Sequence, residues 1–352
     1  MSSIPFSPSA YFLNPSDPEK PYTRRTNEQK ISIPWGQRKL LITTLQFLTR
    51  SWDPSRVPNP VVVYAGAAPG KNIQIVSDLF PTATFHLYDP AKFSVRPTSS
   101  INLYNQYFTD ADATKWSNRS DIFFISDIRT ADYRTMDETT NEQTIWQDML
   151  DQARWYHIIK PVAAHLKFRL PYPNKGIPNV VKYFPGQVFK QPWAPQTSTE
   201  VRLVPSQEVP TNNDTPVNKD PLTGVAGDGV PAYESLLTSE YDITKCESQL
   251  FHHNTVTREK DRYLNPVAGD ESLLNEPELL NDYDSTCEAA IILDYCEKFG
   301  HEKSIDNVRK YSDMFTAKLN EGKHPSDWYT LAKLRKDPFT IKRKFKTEGL
   351  DD

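Results

Sequence analysis

The chain has 352 residues, of which 38% are hydrophobic and 12% aromatic, enough for one large folded domain with appendages or two modest ones. A formal net charge of −4 excludes a broadly basic nucleic-acid-binding protein, so any contact with RNA must come from local patches. Cys246, Cys287 and Cys296 lack metal-ligand spacing, no apolar run reaches the length of a membrane span, and residues 1–11 show no signal-peptide pattern; a soluble, cytoplasmic protein without metal or membrane contact is therefore expected.

In chain order, the proline-rich residues up to Pro34 predict an arm, 1–34, with little regular structure. Residues 36–50 carry Leu41, Ile42, Leu45 and Leu48 at helical spacing. PVVVYAG (60–66) reads as a short buried strand, 72–80 as a short helix and TFHLYD (84–89) as a second strand. INLYNQYF (101–108) and DIFFISD (121–127) predict two more, ahead of a long helix over 138–159. Strands follow in AAHLKFRL (163–170), NVVKYF (179–184) and TEVRLV (199–204). Apolar strands alternating with helices indicate a doubly wound α/β sheet covered on both faces. The polar, turn-rich stretch 205–231 reads as a loop insertion. Helices over 248–261, 285–299 and 304–319 are expected to pack onto the same sheet, giving one domain over 35–320. Lys333, Arg335, Lys336, Lys342, Arg343, Lys344 and Lys346 make 321–352 a basic tail, either solvated chain or an electrostatic hold on RNA.

The segment from Tyr64 to Gly70 joins a strand to a helix, where small residues let the backbone approach a ligand at the carboxyl ends of the strands. Gly66 to Gly70 is one residue short of a phosphate-binding loop, and Lys71 precedes Asn72 rather than Ser or Thr. The dinucleotide pattern GxGxxG is also absent. Two readings stay open: a nucleoside-type ligand such as S-adenosylmethionine, with Asp89 accepting its ribose hydroxyls, or simply a tight turn. Lys39, Asp127, Lys167 and Glu200 lie at or near the ends of different elements. Singly, a charge in a strand is a solvated residue. Together, two lysines and two acids form a compact, near-neutral cluster, in which burial and a neighbouring cation lower a lysine's pKa far enough for it to act as a base.

IPWGQRKLL (33–41), VVYAGAAPG (62–70), FFISDIRT (123–130), LKFRLPYP (166–173), QPWAPQTSTEVRLV (191–204) and CESQLFHHNTVTR (246–258) carry a resemblance. In this order they resemble the poxvirus-type cap-specific mRNA (nucleoside-2′-O-)-methyltransferase that doubles as poly(A) polymerase regulatory subunit; departures in the last third point to a distant large-DNA-virus homologue. The resemblance implies a Rossmann-like, S-adenosylmethionine-dependent fold with added C-terminal helices. It implies transfer of a methyl group to the ribose 2′-hydroxyl of the first transcribed nucleotide of capped mRNA. Lys167 is then the general base, oriented with the ribose by Asp127, Lys39 and Glu200. The cofactor residues implied are Gln37, Tyr64, Gly66, Ala68, Pro69, Gly70, Asn72 and Asp89, with Phe108 and Thr109 flanking the adenine. Ala91 stands where the family has a basic residue, and Lys92 lies next to it.

For the cap, a flat, cationic methylated guanine fits between aromatic rings with acids at its edge. The resemblance assigns Tyr172 and Tyr22 as the rings and Glu247 as one acid; Asn174 falls on the second acid and Thr197 on a further aromatic wall. The implied partners are capped mRNA and a viral poly(A) polymerase catalytic subunit, and the implied location is the viral factory of the host cytoplasm and the virion. Two alternatives remain: an RNA-binding regulatory or processivity subunit of the polymerase, catalytic or not, and a methyltransferase of ribosomal or transfer RNA.

Overall fold

The computed structural model describes residues 4–23, 35–206, 233–261, 263–264 and 282–319. Positions 24–34 of the expected arm, 207–231 of the insertion and the basic tail 321–352 lie outside the described residues.

The chain opens with a two-residue strand, β1 (Ile4–Pro5), and a 3-10 turn (Pro8–Tyr11), and then enters α1 (Trp35–Ser51). Alternation follows as expected: β2 (Val61–Ala65), α2 (Lys71–Leu79), β3 (Thr84–Tyr88), β4 (Ile101–Tyr104), α3 (Asp110–Lys115), β5 (Ile122–Ser126), α4 (Glu138–Ile159) and β6 (Ala163–Phe168). Next come β7 (Val180–Tyr183), β8 (Gly186–Phe189), β9 (Val201–Pro205), β10 (Ser239–Asp242) and α5 (Ile243–His252). A π turn (His253–Thr257) carries α5 into α6 (Arg258–Lys260). The described chain ends with β11 (Tyr263–Leu264), α7 (Tyr283–Lys298) and α8 (Ile305–Leu319).

Seven strands form one sheet in the order β4-β3-β2-β5-β6-β9-β8. The first five are parallel, and β9 and β8 complete the sheet antiparallel. The runs VVVYA and IFFIS are buried throughout because both faces of a central parallel strand are covered. On one face, Val62, Tyr64, Phe85, Leu87, Phe123 and Ile125 pack with residues of α1, α2, α7 and α8. On the other, Val63, Tyr88, Phe124, Leu166 and Leu203 pack with residues of α3, α4 and α5. This is the three-layer α/β sandwich of the Rossmann-like class. The order turns back at β2, which places a switch point, the usual ligand crevice, at the carboxyl ends of β2 and β5.

Several expectations need correction. NVVKYF does not join the main sheet: β7 pairs antiparallel with β10 in a separate two-stranded sheet, with only one of its faces buried. The edge place belongs to β8, whose four residues are too short to show a period. The strand in INLYNQYF stops at Tyr104. The opening segment is not free of structure: β1 pairs with β11, Phe12 bridges Phe189 of the edge strand, and Tyr11 is buried. Helices α7 and α8 share one core cluster with α1, α2 and one face of the sheet. No helix among the described residues is long and apolar enough to cross a membrane.

Candidate active site

Sheet register assembles the site. Tyr88, Ala65, Ser126 and Leu166 are Cα partners across β3, β2, β5 and β6. One residue further along come Asp89, Gly66, Asp127 and Lys167, and Lys167 is itself the partner of Arg202 on β9. Because side chains alternate faces, this next row puts two carboxylates and two cations side by side at the switch point. Glu200 lies two residues before Arg202 and so returns to the same side. Lys39 reaches it from the second turn of α1.

The four charged residues singled out in the sequence do meet. Lys39 Nζ donates to Glu200 Oε1 at 2.6 Å. Lys167 Nζ stands 3.3 Å from Asp127 Oδ1 and 3.4 Å from Glu200 Oε2. A fifth charge, which sequence reasoning missed, joins them: Arg202, 1% exposed, donates to Asp127 Oδ1 at 2.8 Å and to Glu200 Oε1 at 3.1 Å. Its Nε donates to Gln191 Oε1 at 3.2 Å, and Gln191 Nε2 donates to the Glu200 carbonyl at 2.9 Å. Three cations therefore face two anions, so the cluster is net positive and not near-neutral.

That arrangement also corrects the electrostatic expectation. Burial pulls the Lys167 ammonium down, but Asp127 and Glu200 together more than reverse it, against Arg202, and its pKa is raised above the ordinary lysine value. Burial likewise pushes Glu200 up, and Lys167, Lys39 and Arg202 overcome it, leaving the carboxyl well below the usual range. Both groups are ionised at neutral pH.

The turn after β2 is dictated first by the fold. Gly66 has φ +79, and a Cβ there would lie 2.6 Å from the Asp127 carbonyl carbon, so the close approach of the β2 and β5 turns requires glycine. Gly70, at φ +74, precedes α2 beneath Val95. Asp89 Oδ2 accepts from the Ala68 amide at 3.0 Å and Oδ1 from the Ala91 amide at 2.8 Å, which leaves each oxygen one further lone pair. Ser94 N–H donates to the Pro69 carbonyl at 2.8 Å, and Tyr64 is buried beneath the cluster. Gln37 Oε1 and Asn72 Nδ2, on the first turns of α1 and α2, are an acceptor and a donor buried without a hydrogen-bond partner. Phe108 and Thr109 are used by the fold: Phe108 packs edge-on against Tyr88 and Trp155, and Thr109 closes a capping box on α3.

A cleft of about 590 Å³ opens beside Lys167 and Glu200. Tyr22 and Tyr172 stand at it together, their hydroxyls 3.1 Å apart and their ring centroids 5.5 Å apart at 36°. The expected edge readers lie beside it and not in its wall. Asn174 is exposed in a turn at φ +62, a conformation that suits asparagine. Glu247, half-buried, lines an adjoining narrow crevice that shares Tyr172 and Thr199 with the cleft, and burial raises its carboxyl pKa against the pull of Arg169. The cleft wall comes instead from α4, which presents Asn141, Glu142, Asp148 and Gln152, and from Arg169. Glu142 pairs with Arg169 and accepts the Tyr172 amide at 2.7 Å, and the Arg169 guanidinium lies 4.4 Å from the Tyr172 ring centre. The available signal was polar residues recurring on the face of 138–159 that packing alone would make apolar.

A sequence model for the family described as poly A polymerase regulatory subunit matches residues 7–219. The chain is 32% identical, over 181 residues, to the cap-specific mRNA (nucleoside-2′-O-)-methyltransferase of Fowlpox virus (strain NVSL), an alignment covering 48% of this chain and 57% of that protein. It is 28% identical over 208 residues to the proteins of the same name from two Myxoma virus strains, Lausanne and Uriarra, covering 56% of this chain and 60% of each. The chain thus spans less than two thirds of the length of these curated relatives.

Proposed function

This chain belongs to the poly(A) polymerase regulatory subunit family, and from that premise we propose that it is an S-adenosylmethionine-dependent methyltransferase acting on the ribose 2′-hydroxyl next to an mRNA cap. The observation that carries the reading is the charged row, Asp127, Lys167 and Arg202 with Glu200 and Lys39, opening into a cleft that continues to Tyr22 and Tyr172. The names of the relatives support the same activity.

S-adenosylmethionine supplies a methyl group already activated on a sulfonium, so the protein's task is alignment and proton removal. The unpaired Gln37 Oε1 and Asn72 Nδ2 suit the ammonium and carboxylate of its amino-acid end, and the remaining lone pairs of Asp89 suit its ribose. Lys167 would orient the acceptor oxygen and, in its neutral amine fraction, take the hydroxyl proton on Nζ, while the oxygen's lone pair forms the bond to the methyl carbon and the carbon–sulfur electron pair leaves with the sulfur. Asp127 and Glu200 hold Lys167 from two sides, while Arg202 and Lys39 hold the carboxylates. Tyr172, stiffened by Glu142 and Arg169, supplies a ring for the cap base.

The test offers RNA with a methylated cap, an unmethylated cap and no cap, together with labelled S-adenosylmethionine. Transfer is expected to the capped RNA, and equal transfer to all three would refute cap specificity. Lys167→Ala should abolish transfer and leave cofactor affinity nearly unchanged. The family description favours a second role beside catalysis, as the regulatory partner of a poly(A) polymerase catalytic subunit; co-purification of the two, undiminished by Lys167→Ala, is the expected outcome.

A further inference from the structure

We propose that Tyr133, bracketed by Arg129 and Arg134, is a stacking platform for a base of the single-stranded RNA that runs on from the target nucleotide. The proposal deepens the reading of the cleft as an RNA site and rests on it.

Tyr133 is 59% exposed, one of the few large hydrophobic side chains among the described residues left so open to water. The Arg129 guanidinium lies 5.8 Å from its ring centre and that of Arg134 5.6 Å. Tyr133 and Arg129 line the same cleft as Lys167, Glu200, Tyr22 and Tyr172. The loop that carries the ring is built from within. Asp148 of α4 accepts from the Thr130 amide at 2.9 Å and from its hydroxyl at 2.6 Å. Arg129 Nε donates to the Ala131 carbonyl at 3.3 Å, and Asp132 turns the chain by accepting the Arg134 amide at 3.0 Å. The Asp132 carbonyl accepts the amides of Thr135 and Met136 at 3.1 and 3.0 Å.

An exposed ring with two guanidiniums beside it fits single-stranded nucleic acid. Every base has a π-face, so stacking tolerates any sequence, and the arginines meet the adjoining phosphates. Transcripts share a cap but not the bases that follow it, so a sequence-tolerant hold is the kind such a substrate permits. Asp127 and Arg129 are two residues apart, and the platform therefore begins where the charged row ends.

The test measures binding of the full chain to a capped mononucleotide and to a longer capped oligonucleotide by fluorescence anisotropy, alongside methyl transfer. Tyr133→Ala should weaken binding of the longer RNA and raise its KM by roughly five- to a hundredfold. Its affinity for the capped mononucleotide should not move. Tyr133→Trp should bind the longer RNA at least as tightly as the native protein. Arg134→Gln should flatten the salt dependence by about 0.7 in the log–log slope, the loss of one single-strand phosphate contact. Unchanged binding of the longer RNA by Tyr133→Ala overturns the platform and leaves the surface to a protein partner. Equal loss on both ligands overturns it too, since a merely structural ring would act on both. A native protein that binds RNA in this length-dependent way yet transfers no methyl group would sink the activity and leave the platform standing.

Discussion

Lys167 faces opposed demands: it is asked to take a proton, while Asp127 and Glu200 hold its own in place. Its pKa is raised, so the neutral form is a small fraction at pH 7, and that fraction grows about tenfold per pH unit below the pKa. The transfer rate should therefore climb with pH through the neutral and mildly alkaline range, with no plateau below the ordinary lysine value. Asp127→Asn removes one of the two raising charges, so the bend of its pH–rate profile should move to lower pH. A flat profile in both proteins would mean that Lys167 works as a charged donor only. Of the charges around it, Arg202 was the one not legible in the sequence. A lone arginine in TEVRLV matches the outward position of a half-exposed strand, and only the β6–β9 pairing, a contact between distant segments, turns it inward against Asp127.

At the scale of elements, the site depends on two turns packed backbone to backbone. Gly66→Ala would add a Cβ to a left-handed residue 2.6 Å from the Asp127 carbonyl carbon, and should cost about 2–5 kcal/mol in a urea melt. Activity should fall with it, because the displaced segment carries Asp127. Gly36→Ala is the control: nothing lies within 4 Å, it sits in α1, and it should be neutral or stabilise by up to about 1 kcal/mol. The buried strands VVVYA and IFFIS were legible because cover on both faces writes itself as an unbroken apolar run. NVVKYF and GQVF were not, since a one-faced strand and a four-residue edge strand acquire their partners only in the folded chain. The polar wall that α4 adds to the cleft was not legible either, since Asn141, Glu142, Asp148 and Gln152 meet the site only through the packing of a distant helix.

Across the whole molecule, two buried ion pairs tie the helical layer to the site. Arg38, next to Lys39, donates to Glu288 of α7 at 2.9 and 2.5 Å, and to Thr316 and Ser312 of α8 at 2.9 and 2.7 Å. Arg258 is bound to Asp284, and Asp284 and Glu288 accept the Trp193 amide and indole N–H at 3.0 and 2.8 Å. They thereby hold Trp193 at φ +63, an unfavourable conformation for a bulky residue, in the segment leading from Gln191 to Glu200. Glu288→Ala should cost roughly 3–5 kcal/mol by leaving Arg38 buried and unpaired, and should lower transfer through Lys39; Arg38→Met with Glu288→Met should recover much of the stability. Stability by denaturant melt and initial rate together check this. The row across the sheet has one more consequence. Lys167 and Arg202 face the site by strand parity: shifting β6 against β9 by one residue would put them on opposite faces of the sheet. Of the 30 positions between Arg169 and Glu200, those of β8 obey the same parity through their pairing with β9, whereas those in the turns around Asn174 and Thr197 do not. Lineages are therefore free to reword those turns, Asn174 and Thr197 included, while the charges at the two ends of the stretch stay in step.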